Sequence, residues 1–158
     1  MKKLFSLMFF TFFLGCGGVE LLPSTADDLI LEINKLKSKK VVLLNVWALW
    51  CMPCIEEFPM IVKLANEIED LEIIFVSADF EEEEDNVKAF LNRYQVGPIS
   101  YIKKEKDEPF IERIHTEWTG SLPFTVVYAK SSGNIVDYWE GIAPESKFRA
   151  AINIALNS

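Results

Sequence analysis

Two cysteines three residues apart, Cys51 and Cys54, carry the most specific chemistry in the chain. Such a pair is either a redox dithiol or half of a zinc site. Zinc needs two further good ligands. The remaining candidates are His115 and Cys16, and neither sits in a partner motif. A lone His within an Ile-Ile-Trp pattern is more often a packed side chain than a ligand, so metal binding is the weaker reading. A redox pair needs two sulfurs where a buried strand passes into a helix. At helical spacing, residues i and i+3 bring their Cα atoms within the roughly 4.4–6.8 Å range of a disulfide. At the helix start, Cys51 would meet unpaired backbone N–H groups and the helix dipole, which favour a thiolate and make it the nucleophile. Cys54, one turn deeper, would be the resolving sulfur. Pro53 is tolerated between them because a first-turn residue has no intrahelical hydrogen bond to lose.

The flanking sequence supplies the elements that such a pair requires. Val41-Val42-Leu43-Leu44-Asn45-Val46 is a β-branched, nearly continuous apolar run, the pattern of a central parallel strand covered on both faces. Ile55, Phe58, Ile61, Val62, Ala65 and Ile68 then recur at helical spacing and predict a long amphipathic helix. Ile73 to Val76 reads as a second buried strand and Val87, Phe90, Leu91 and Tyr94 as the next helix, so the order implies a parallel α/β sheet. Upstream, Thr25 and Asp28 form a capping-box-like start to a helix carrying Leu29, Ile30, Ile33 and Leu36. Downstream, Ile99 to Ile102 reads as a short strand and Phe110 to Trp118 as a helix. Phe124 to Ala129 and Ile135 to Trp139 read as a hairpin, followed by a closing helix over Glu145 to Leu156. Asp79 to Asp85 is expected to be a solvated acidic loop at a helix N-terminus.

The segment Trp50-Cys51-Met52-Pro53-Cys54-Ile55-Glu56-Glu57-Phe58-Pro59 resembles the active site of the TlpA/ResA-like branch of the thioredoxin superfamily. Gly120-Ser121-Leu122-Pro123 is similar to the family's segment before its cis-proline. The resemblance implies an α/β, thioredoxin-like fold, a central mixed β-sheet flanked by helices. It implies that Trp50 flanks the dithiol, that Pro59 kinks the active-site helix and that Pro123 is the cis-proline facing the disulfide. Leu122 would offer backbone groups to an extended substrate segment, in the manner of strand addition. Asn45 stands where cytoplasmic thioredoxins carry a buried Asp, and Glu57 matches the acid common in the branch. Glu57 is therefore the candidate for proton exchange with Cys54, its pKa raised by burial. The competing reading makes it a solvent-facing carboxylate like Glu56.

The N-terminus sets the context. Lys2 and Lys3 precede an apolar run from Leu4 to Leu14, the layout of a secretory signal and too short for a membrane-spanning helix. Phe13-Leu14-Gly15-Cys16 resembles a bacterial lipobox, with Phe13 where Leu is usual, and implies cleavage before a lipid-carrying Cys16. The expected organisation is a lipoprotein signal peptide over 1–15, a tether over 16–24 and a thioredoxin-like domain over 25–158. The net charge of −8 becomes −10 once Lys2 and Lys3 leave with the signal, which argues against nucleic acid and against electrostatic attachment to anionic lipid. Met52-Pro53 supplies no cation to stabilise a thiolate, which favours a reductant over a strong oxidant. The expected activity is that of a membrane-anchored, extracytoplasmic thiol–disulfide oxidoreductase with no cofactor beyond its own disulfide. It would draw electrons from a membrane donor and reduce disulfides in exported proteins, apocytochrome c among them. The alternative is a copper-binding metallochaperone of the same fold.

Overall fold

The computed structural model describes residues 18–158, so the signal peptide over 1–15 and Cys16 lie outside the described residues. A six-stranded mixed sheet runs in the order β1-β4-β3-β2-β5-β6, with β1 over Glu20–Ser24, β2 over Val41–Trp47, β3 over Leu71–Ser77, β4 over Ile99–Lys103, β5 over Phe124–Tyr128 and β6 over Ile135–Glu140. The first four strands in that order are mutually parallel, while β5 runs antiparallel to both β2 and β6. Helices α1 (Ala26–Leu36), α2 (Met52–Glu67), α3 (Glu84–Arg93), α4 (Asp107–Ile114) and α5 (Glu145–Leu156) connect and cover the strands.

Every residue of β2 is buried, as its uninterrupted apolar run requires. Leu43 and Trp47 pack with Phe58, Ile61 and Phe148 on one face of the sheet, while Val42, Leu44 and Val46 pack with Leu29, Phe110 and Phe124 on the other. Alternation along the strand thus feeds two apolar layers. The expected capping box of α1 is present: the Thr25 hydroxyl accepts from the Asp28 amide at 3.3 Å, and the Asp28 carboxylate accepts from the Thr25 amide at 2.9 Å. Pro59 lies inside α2 and cannot donate to the Ile55 carbonyl, but the helix continues through it.

Three features depart from the sequence reading. The expected tether over 16–24 is not all tether, because Glu20–Ser24 forms the edge strand β1, in register with Ile99 to Lys103 of β4. Val19 and Leu21 bury their side chains in the core, which makes this short segment part of the domain and moves its start upstream of residue 25. The helix expected over Phe110 to Trp118 begins earlier and ends at Ile114, with His115 as its C-cap. Trp118 instead stacks on Phe124, ring centroids 4.5 Å apart, and its indole N–H bonds the Ser121 carbonyl at 2.9 Å. Finally, Asp79 is buried rather than solvated.

If β1 is structural, Leu21→Ala should destabilise the domain by about 2–4 kcal/mol through lost burial and a residual cavity. Urea unfolding measures this, and a loss below about 0.5 kcal/mol would show that β1 is dispensable.

Candidate active site

The junction of β2 and α2 places the two cysteines as their spacing predicts. Cys51 is the N-cap of α2 and Cys54 lies in its first turn, and they form a disulfide with Cα atoms 5.3 Å apart. The Cys54 amide N–H donates to the Cys51 sulfur at 3.3 Å, so an unpaired helix N-terminal donor already points at this sulfur. Cys51 is 5% exposed and Cys54 1%, which leaves Cys51 the more approachable of the two. Trp50 and Met52 on either side of Cys51 are exposed, and Trp50 at 69% is an unusually open indole.

Glu57 sits one helical turn beyond Cys54 on the buried side of α2 and is 4% exposed, unlike its exposed neighbour Glu56. The Asn45 amide of β2 donates to Glu57 Oε1 at 3.3 Å and to Thr125 Oγ1 at 3.0 Å, and the Ala143 N–H donates to Glu57 Oε2 at 3.3 Å. Burial raises the Glu57 pKa to about 7, even though the Ala143 and Asn45 hydrogen bonds oppose the rise. A carboxyl with that pKa can hold or release a proton near neutrality.

The Leu122–Pro123 peptide is cis. Phe124 pairs with Val46, so Pro123 lies beside the chain that leaves β2 toward Cys51. The loop before it is braced from β6: Glu140 accepts from the Thr119 amide and from the Thr119 hydroxyl, the latter at 2.7 Å. The Pro123 carbonyl accepts from the Gly141 N–H at 2.8 Å, and Gly141 adopts φ +79°, a conformation that favours glycine. Trp50 and Leu122, both expected to meet substrate, line one cleft of about 210 Å³ together with Phe80, Phe110, Ile111 and Trp118.

Sequence reasoning missed two contributors. The Asp79 carboxylate accepts the Leu49 N–H, 2.9 Å from Oδ2, and the Ser77 hydroxyl at 2.7 Å, which ties the end of β3 to the turn that delivers Trp50 and Cys51. Its position next to the apolar run Ile73 to Val76 was the available signal, masked by the acidic residues that follow. Phe80, exposed beside the cleft, was hidden in the same segment. His115 is engaged elsewhere: its ring lies against Tyr138 with centroids 3.9 Å apart, and Nδ1 accepts from the Glu117 N–H at 3.2 Å.

The AhpC/TSA family model matches residues 21–138. The chain belongs to that family, in the thioredoxin superfamily, and is TlpA/ResA-like. The thioredoxin-like protein YneN of Bacillus subtilis is 43% identical over 77 residues, covering 46% of this chain and 44% of that protein. The thiol-disulfide oxidoreductase ResA of Oceanobacillus iheyensis is 24% identical over 128 residues, covering 80% of this chain. The chain spans 62% of that relative. A solved thiol:disulfide interchange protein from Chlorobium tepidum shares the fold with a TM-score of 0.63, at 23% identity, over 78% of this chain and 83% of its own.

The raised Glu57 pKa fixes a sign for stability. Between about pH 4.5 and 7 the folded protein holds a proton that the unfolded chain has released, so stability falls as pH rises through that window. The loss is at most about 3 kcal/mol. Glu57→Gln should flatten this slope in denaturant unfolding of the oxidised protein; an unchanged slope would show that Glu57 titrates normally.

Proposed function

We propose that this chain is an extracytoplasmic thiol–disulfide oxidoreductase that reduces disulfides in exported proteins, apocytochrome c among the candidate clients. The observation that carries the reading is the Cys51–Cys54 disulfide at the start of α2 with the buried Glu57 one turn beyond it. In the reduced protein, the Cys51 thiolate attacks one sulfur of a client disulfide, and the other client sulfur leaves as a thiolate. Glu57 accepts the proton of Cys54, whose sulfur then attacks Cys51. The mixed disulfide breaks, the client departs with two electrons as a dithiol, and Cys51–Cys54 is oxidised.

Pro123 and the Leu122 backbone border the path of the client, and the cleft between Trp50 and Leu122 receives an apolar side chain near its cysteine. The absence of a cation in Met52-Pro53 supports the reducing direction. A membrane donor then returns electrons to the disulfide. The basic and apolar leader supports export, and Cys16 as a lipid carrier would hold the domain at the membrane beside that donor.

The test is covalent trapping in the native host. Cys54→Ala leaves Cys51 without its resolving partner, so exported clients should accumulate as Cys51 mixed disulfides that a reductant releases. Copper-loaded monomer with no trapped client would favour the metallochaperone instead.

A further inference from the structure

The cleft between Trp50 and Leu122 has a rigid floor and two free walls. Trp118 and Phe110 form the floor, 6% and 1% exposed, with ring centroids 6.1 Å apart in an edge-to-face arrangement. Trp118 is held by its stack on Phe124, the two ring planes 4° apart, and by the indole bond to the Ser121 carbonyl. Gly120 lets this loop pack against α4, because a Cβ there would lie 3.0 Å from Ile111 Cδ1 and its φ is +93°. Trp50 and Phe80 are the walls, exposed at 69% and 76%. Each follows directly after one partner of a single hydrogen bond, from the Leu49 N–H to the Asp79 carboxylate. Their backbones are therefore fixed to each other while their rings stay free.

Size and charge select the occupant. At about 210 Å³ the cleft is smaller than the roughly 300–1,000 Å³ of small-molecule sites, so it suits a single side chain better than a cofactor. Lys103, the cation in its lining, pairs with Asp107 at 2.7 Å and donates to the Glu105 carbonyl at 2.8 Å. Among the described residues the lining thus presents no unpaired charge, and a charged side chain entering it would lose water without gaining a counter-ion. The rings of Trp50, Phe80, Phe110 and Trp118 offer faces and edges instead, surroundings in which an aromatic side chain gains more than an aliphatic one. The cleft is continuous with the redox site, since Trp50 precedes Cys51 and Leu122 precedes Pro123. Client residues one or two places from a reacting cysteine lie within about 7 Å of it, the range of these immediate neighbours.

We propose that the cleft is a specificity subsite for an aromatic side chain of the client, one or two residues from its reacting cysteine, and that Trp50 and Phe80 close on that ring. This subsite rests on the oxidoreductase reading above and narrows its clients to disulfides with phenylalanine or tyrosine beside the cysteine. Trp50 and Phe80 are binding residues in this role and touch none of the reacting atoms. Trp118 and Gly120 fix the floor against which they close. Seating the ring raises the fraction of encounters in which the client sulfur faces Cys51.

The experiment follows oxidation of the reduced protein by symmetric disulfide dimers of short peptides. These are identical except at the positions two residues before and after the cysteine, which share its face in an extended segment. The phenylalanine peptide should react about tenfold faster than the alanine peptide, with leucine between them and lysine and glutamate no faster than alanine. In Phe80→Ala the ratio of the phenylalanine rate to the alanine rate should fall several-fold, and Phe80→Tyr should keep it. Phe80 is on the surface, so neither variant removes a core side chain. Equal rates for phenylalanine, leucine and alanine, or a ratio untouched by Phe80→Ala, would overturn the aromatic subsite and leave the oxidoreductase reading standing. Failure to exchange with any peptide or with hydroxyethyl disulfide would overturn that reading, and the subsite with it.

Discussion

The site depends on how one strand buries a single polar side chain. In β2, Asn45 is the lone polar residue in an apolar run between two packed layers, so its amide must find partners inside the protein. It finds Thr125 on the neighbouring strand and Glu57 on the helix above. The same hydrogen bond that satisfies Asn45 therefore holds a buried carboxyl one helical turn beyond Cys54. Burial then does the chemical work, because a group removed from water resists ionising and its pKa rises into the range where it can exchange a proton.

Around that centre, each loop at the C-terminal end of the central strands is secured from a different element. Asp79 of the segment after β3 holds the Leu49 amide, Glu140 of β6 holds Thr119, and Gly141 closes on Pro123. Cys51, Trp50, Leu122 and Pro123 come from separate parts of the chain and converge because these bonds fix the loops that carry them. The disulfide is thus a rigid N-terminal fixture of α2, while the exposed apolar rim of Trp50, Met52 and Phe80 is left free for contact.

Most of this was legible in the sequence where periodicity was strong. The runs Val41 to Val46 and Ile73 to Val76 and the helical spacing from Ile55 to Ile68 defined the core elements, and Thr25 with Asp28 marked the start of α1. The bounds of α5 agree with the sequence expectation residue for residue. Strand β1 was not legible, because Glu-Leu-Leu-Pro-Ser is too short to show alternation and contains a proline, which an edge strand can accept. Asp79 was obscured because an acid before four glutamates reads as solvated charge, and only its hydrogen bonds to Leu49 and Ser77 reveal its burial. Trp118 followed the helical period of Ile111 and Ile114 by coincidence; its indole packs from a turn instead.

The division of labour between the two sulfurs is the central claim, and differential alkylation of the reduced protein tests it most directly. Reduced enzyme, titrated with a limiting alkylating agent across pH and mapped by mass spectrometry, should carry the label on Cys51 well below the ordinary thiol range near pH 8.5. Cys54 should remain unlabelled until the protein is unfolded. Equal labelling of both cysteines, or earlier labelling of Cys54, would contradict the account.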